Sequence, residues 1–90
     1  MSTSGVWTVY IVRCADDTLY TGISSQLHKR IETHNRGRGA KYTAARRPVK
    51  LVWFEDAQTR SAASKREYAI KKLSRAQKLA LISQVPKPLD

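Results

Sequence analysis

A tight hairpin constrains what this chain can fold into more than any other feature. Trp7 to Cys14 and Thr18 to Ser24 are alternating segments rich in β-branched and aromatic residues, separated only by Ala15-Asp16-Asp17. A short polar connector between two such segments makes them antiparallel neighbours, so a sheet has to be built on the pair. Each strand carries one tyrosine, Tyr10 and Tyr20. Their faces depend on register, because a one-residue slip turns over all the side chains of a strand. A three-residue loop sets Cys14 opposite Thr18, Val12 opposite Tyr20 and Tyr10 opposite Gly22. The two phenols then share a face as diagonal neighbours, about 7 Å apart between backbones. A four-residue loop separates them. Asp17 favours the shared face, since the third loop position is left-handed and Asp tolerates that conformation better than most residues. Gly22, opposite Tyr10, predicts an open space over the sheet. By themselves, two hairpin tyrosines are more often core aromatics than site residues.

The chain has 90 residues, which suits one small domain spanning 1–90 with a single core. Cys14 is the one cysteine, so no intrachain disulfide forms, and no paired Cys/His spacing suggests zinc. A reducing, cytoplasmic setting fits this composition. The apolar run Val6 to Val12 lacks a basic leader and a small-residue cleavage site, and no stretch approaches membrane-spanning length. Lys and Arg total 17 against 7 Asp and Glu, a formal net charge of +10. A polyanionic partner follows. A membrane-surface helix would need a broad exposed apolar face, and the few apolar residues here are required by the core. Nucleic acid is therefore the expected partner, and no partner protein is identifiable. Arg36, Arg38, Lys41, Arg46, Arg47 and Lys50 follow one another with no acidic residue among them, which concentrates the positive charge.

After the hairpin the pattern turns helical from Gln26 to Asn35, with Leu27, Ile31 and His34 on one stripe. Ser24 or Ser25 is the expected N-cap. Arg30 and His34 are one turn apart and can act on the same object. Asn35 to Ala40 is a glycine-punctuated loop matching no nucleotide-binding glycine motif. Its Arg36 and Arg38, with Lys41 and Tyr42 just beyond, suit phosphate contacts. Val49 to Phe54 reads as a third strand, central because it is apolar on both faces, and ended by Glu55 and Asp56. A long helix is expected from Ser61 to Leu73, with Ala62, Ala63, Ala69, Ile70 and Leu73 as its apolar arc. Glu67 is that helix's only carboxylate, and an ion pair with Lys71 is its simplest role. Ser74 to Gln77 is a capping box, opening a last helix with Leu79, Ile82 and Val85 inward, ended by Pro86-Lys87-Pro88. The order β-β-α-β-α-α predicts an α+β domain, a small three-stranded sheet with flanking helices.

Thr8-Val9-Tyr10 and Tyr20-Thr21-Gly22 resemble the paired tripeptides of the GIY-YIG nuclease superfamily. Arg30, His34 and Glu67 follow in the order of that family's arginine, histidine and carboxylate. The resemblance covers essentially the whole chain and is closest to small stand-alone bacterial members, through the runs LYTGI, GAKYT, RRPVKLV and REYAIKKLSR. The chain departs from the pattern in Thr8 for the first glycine, Val9 for the first isoleucine and Thr21 for the second. Many family nucleases also place an Asn in the helix after the carboxylate, whereas Asn35 is the only Asn here.

The resemblance implies phosphodiester hydrolysis by a metal-dependent endonuclease acting on DNA, in repair or processing. Tyr10 or Tyr20 would orient and deprotonate the water, with His34 as an accessory base. An ordinary phenol has a pKa of about 10, so nearby positive charge must favour its ionised form. Arg30 would supply that charge and clamp the phosphate. Glu67 would hold a single Mg²⁺ or Mn²⁺, completed by water and phosphate oxygens. Lys41 and Tyr42 are expected to contact the nucleic-acid backbone beside the site, with Arg36, Arg38, Arg46 and Arg47 adding phosphate contacts. The alternative is a nucleic-acid-binding module for DNA or RNA with little or no cleavage, since family nucleases of known specificity are usually fused to a DNA-reading domain.

Overall fold

The computed structural model describes residues 6–84. Its elements are β1 (Trp7–Arg13), β2 (Leu19–Ser24), α1 (Leu27–Asn35), α2 (Lys41–Ala44), β3 (Lys50–Ala57), α3 (Arg60–Lys71) and α4 (Arg75–Gln84). This is the expected α+β order, with the one-turn α2 added in the loop after α1. The strands form an antiparallel sheet in the order β2-β1-β3.

The hairpin closes through a three-residue loop. Cys14 N–H donates to Thr18 O at 2.8 Å, Asp17 N–H donates to Cys14 O at 2.9 Å, and Asp17 takes the left-handed conformation with φ 70°. Val12 pairs with Tyr20 and Tyr10 with Gly22, so both phenols lie on one face.

The central strand is β1, not β3. Thr8 to Val12 are all buried, whereas Trp53 is the only buried residue of β3. Apolar residues on both faces do not require a central position, because helices cover both faces of the sheet here. On one face Val9, Ile11 and Trp53 pack with Ala63 and Ile70 of α3 and with Leu81 and Ile82 of α4. On the other, Tyr10 and Val12 pack with Tyr20, with Leu27 and Ile31 of α1, and with Phe54. Nor do Glu55 and Asp56 end β3, which continues to Ala57. An edge strand can turn charges outward. Glu55 takes up Arg66 at 3.1 Å, and Asp56 faces the Thr8 hydroxyl at 3.5 Å.

The helix ends show which local signals act. The capping box forms as expected, with Gln77 N–H donating to Ser74 Oγ at 3.1 Å and Ser74 N–H to Gln77 Oε1 at 2.9 Å. Thr59 caps α3 by accepting from Ala62 N–H at 3.0 Å. The cap position of α1 is Gln26, rather than either serine, and makes no side-chain cap bond. Ser24 instead accepts from Gln26 N–H at 2.9 Å, tightening the turn just before the helix. The α3 face is narrower than expected: Ala63 and Ile70 are buried, but Ala62 and Ala69 are exposed. These buried residues are two turns apart, so α3 rests on the sheet along one line. Leu73 follows the helix and is half-buried. The expected inward Val85 and the Pro86 to Pro88 terminus lie outside the described residues. No helix among the described residues is long and apolar enough to cross a membrane.

Asn35 clasps the end of α1 to the start of β3. Its Nδ2 donates to Val49 O at 3.1 Å and its Oδ1 accepts from Val49 N–H at 2.6 Å. That bidentate contact ties the last residue of α1 to the residue just before β3.

Thr21 offers a test of the packing under α3. It lies opposite Ile11, is 3% exposed, and its hydroxyl has no hydrogen-bond partner among the described residues. A buried hydroxyl without a partner costs about 1–3 kcal/mol of desolvation. Thr21→Val is therefore expected to raise stability by about 1 kcal/mol in denaturant unfolding. A loss of stability would mean that the hydroxyl is paired.

Candidate active site

The face carrying Tyr10 and Tyr20 is covered by α1, which brings His34 down between the phenols. Tyr10 Oη lies 2.9 Å from His34 Nε2. The other ring nitrogen, Nδ1, lies 2.8 Å from Thr43 Oγ1, and that hydroxyl reaches Ala40 O at 3.0 Å. All three side chains are sealed, with Tyr10 1% exposed and His34 and Thr43 at 0%. The Tyr10 and Tyr20 rings meet the imidazole edge-on, at centroid distances of 6.0 Å and 5.5 Å.

Two glycines make this packing fit. The expected open space over Gly22 does not exist, because the Tyr10 phenol fills it: a Cβ on Gly22 would lie 2.5 Å from Tyr10 Oη. A Cβ on Gly39 would overlap His34 Nδ1, so the glycine loop passes directly beside the imidazole. Close approach, not turn geometry, is what these positions require.

Charge around the pair is asymmetric. Burial raises the Tyr10 pKa above its ordinary value, opposed by the Arg30 guanidinium beside the phenol oxygen, while Tyr20 and Glu67 push it further up. Burial lowers the His34 pKa, and Arg30 lowers it further. At neutral pH both partners are thus uncharged, and the phenol keeps its proton. Arg30 is half-buried, and it also borders a shallow groove lined by Ser24, Ser25, Gln26, Lys29 and Thr33.

Glu67 approaches from α3. Its carboxylate contacts Lys71 Nζ at 3.1 Å, and that ammonium stands 6.0 Å from the Tyr20 ring centroid. The ion pair expected from the i, i+4 spacing is therefore present, within electrostatic reach of Tyr10. Glu67 offers a single carboxylate, which suits a hard divalent ion only where the other ligands come from elsewhere. Glu67 Oε2 already faces a cation, half-exposed Lys71 can swing away, and hard ions take oxygen ligands. Among the described residues there is no cluster of three or more His, Cys, Asp or Glu. Waters and phosphate oxygens would complete the shell.

The basic candidates divide. Arg36, Arg38, Lys41 and Arg47 are exposed, and Arg47 Nε donates to Ala44 O at 2.8 Å. Arg46 is engaged inside the molecule: it donates to Asp16 Oδ2 and to Tyr42 O, each at 3.0 Å, and its guanidinium lies 3.9 Å above the Tyr42 ring. Tyr42 in turn stacks on Tyr20, with centroids 5.8 Å apart and planes 25° apart. Arg46 thus presses Tyr42 onto the hairpin. Sequence reasoning missed Thr43, Gly39 and this clamp. Both residues lie in the run GAKYT, Gly39 to Thr43, which resembles family members without showing the contact that each makes with His34.

The order of elements, the paired tyrosines on one face and the buried Tyr10–His34 contact define a GIY-YIG nuclease domain. Residues 6–80 match the family described as the GIY-YIG catalytic domain. The chain belongs to this family, within a nuclease superfamily. It is 59% identical over 75 residues to a UPF0213 protein of Clostridium perfringens, covering 83% of this chain and 81% of that one. A UPF0213 protein of Staphylococcus aureus is 55% identical over 76 residues, 84% of this chain and 93% of the relative. Among solved structures, the solution NMR structure of a UPF0213 protein from Bacillus halodurans has TM-score 0.60 and 38% identity, covering 92% of this chain and 88% of that one. An E. faecalis protein solved by NMR has TM-score 0.61 and 37% identity, covering 92% and 90%.

Proposed function

We propose that this chain is a divalent-metal-dependent endonuclease that hydrolyses phosphodiester bonds in DNA, in repair or processing. The observation that carries this reading is the 2.9 Å contact between a buried phenol and a buried neutral imidazole, with Arg30 beside it. A buried phenol needs one hydrogen-bond partner in any case, and it is the addition of Arg30 to His34 that suits the site to an anionic substrate.

In the proposed reaction the Tyr10 oxygen takes a proton from the attacking water while passing its own to His34 Nε2. The water oxygen bonds to phosphorus, the bond to the leaving oxygen breaks, and that oxygen takes a proton from solvent, while the proton held on the sealed imidazole returns through the Tyr10 oxygen once the product departs. Half-buried Tyr20 orients the water from the same face. Tyr10 is 1% exposed, so the reaction requires substrate binding to admit one water to its oxygen. Arg30 holds the phosphate, and that anion offsets the guanidinium charge that otherwise depresses the His34 pKa. Burial, the larger cause of the lowered His34 pKa, is not relieved by the phosphate, which offsets only the share due to Arg30. Glu67 would hold one Mg²⁺ or Mn²⁺, whose charge stabilises the leaving oxygen when bound. Arg36, Arg38, Lys41 and Arg47 are proposed to contact backbone phosphates, with Tyr42 beside them, and Arg46 to act through Tyr42.

Nicking of plasmid, gapped and branched DNA with Mg²⁺ or Mn²⁺, by wild type and Tyr10→Phe, tests the reading. A general base is worth roughly 10²–10⁴ in rate, so Tyr10→Phe is expected to lose at least a hundredfold while still binding DNA. Wild type that binds DNA and nicks none of these substrates would reduce the chain to a binding module.

A further inference from the structure

We propose that Thr43 is a positioning residue that holds His34 in the Nδ1–H tautomer, leaving Nε2 bare to receive the Tyr10 proton. The tautomer follows from hydrogen-bond accounting alone; its catalytic use rests on the nuclease reading above.

The Thr43 hydroxyl has one hydrogen and two near partners. Ala40 O, at 3.0 Å, can only accept. That hydrogen therefore points to Ala40, and the contact at 2.8 Å between Oγ1 and His34 Nδ1 needs its hydrogen from the imidazole. A neutral imidazole has one N–H, so Nε2 is an acceptor and the Tyr10 hydroxyl donates to it at 2.9 Å. The opposite assignment would set the Thr43 lone pairs against Ala40 O at 3.0 Å inside a sealed site. It would also make the Tyr10 oxygen the acceptor and leave the phenol hydrogen without an acceptor among the described residues.

The arrangement is rigid at each point. Ala40 O is fixed at the start of α2 and also accepts from Ala44 N–H at 3.1 Å. Gly39 leaves no room for the imidazole to retreat. The groups facing the pair are Tyr10 from β1, Tyr20 from β2, Arg30 from α1 and Thr43 from α2, with Glu67 of α3 acting on Tyr10. Thr43 is the one among them that touches Nδ1 through a hydroxyl, so its removal leaves the tautomer to be chosen by Tyr10 alone.

The experiment compares the imidazole nitrogen shifts of His34 by NMR in the full chain for wild type, Thr43→Ser and Thr43→Val, at a pH where His34 is neutral. Wild type and Thr43→Ser should show a protonated Nδ1 and a bare Nε2, and Thr43→Val a mixture. Nicking by Thr43→Val should fall about tenfold with DNA affinity unchanged, and Thr43→Ser should restore it. Should Thr43→Val fail to fold, Thr43→Ala replaces it in both measurements. A protonated Nε2 in wild type, or an unchanged tautomer without the hydroxyl, overturns the proposal. A shifted tautomer with wild-type nicking overturns its catalytic part. If wild type does not nick, the nuclease reading fails, while the nitrogen shifts still decide the tautomer.

Discussion

Gly22→Ala is expected to lower nicking at least a hundredfold and to destabilise the fold by about 1–3 kcal/mol, the usual cost of forcing a methyl group into a packed core. The added Cβ would lie 2.5 Å from Tyr10 Oη and 2.7 Å from its Cζ. Neither partner can yield cheaply. Tyr10 and Gly22 are paired across β1 and β2, the phenol is 1% exposed, and its oxygen is held by His34. The ring must therefore tilt away and break the contact with Nε2. Gly22 has no positive φ to protect, so the effect is one of space alone. Thermal unfolding separates the two losses: a folded variant that has lost nicking places the phenol's position at the centre of the chemistry. Nicking at the wild-type rate would mean that the phenol is not where the reaction needs it.

The glycine also shows how far the sequence could be read. Alternation in the hairpin and one residue, Asp17, were enough to pair Tyr10 with Gly22, because turn conformation is a local property. What filled the space over Gly22 was not local. Both an empty cleft and a buried phenol satisfy the same register, and only the packing of α1 separates them. The position of β3 escaped for a related reason: an apolar strand under helices on both sides looks the same at an edge as in the centre, until the partners of Glu55 and Asp56 are known. The charge of Arg46 is visible in a sequence and its counter-charge, Asp16 in the hairpin loop, is not, so their ion pair at 3.0 Å could not be read in advance. Thr43 carries no charge, and the GAKYT run that it closes assigns it no role. Its importance arises only from the distances to His34 and Ala40.

Replacing Glu67 separates catalysis from structure most sharply. As one half of an ion pair with Lys71 at 3.1 Å, half-exposed on the lysine side, Glu67 should matter little to stability, since such helical pairs are worth a few tenths of a kcal/mol. Glu67→Gln is expected to keep the fold on those grounds. As the carboxylate that would hold Mg²⁺ or Mn²⁺ it should matter greatly, because an amide keeps the shape but not the charge that attracts a hard cation. Divalent-dependent nicking is then expected to fall below detection, while DNA affinity persists or rises slightly as one negative charge near the phosphate is removed. The same substitution should ease ionisation of Tyr10, since Glu67 is among the groups that raise its pKa. That change cannot restore cleavage if the leaving oxygen has lost its stabilising charge. The measurement is paired: nicking across a range of Mg²⁺ and Mn²⁺ concentrations, and DNA affinity without divalent ion, for both proteins, with thermal unfolding as the control. Equal nicking by the two proteins would leave Glu67 as the partner of Lys71 and nothing more.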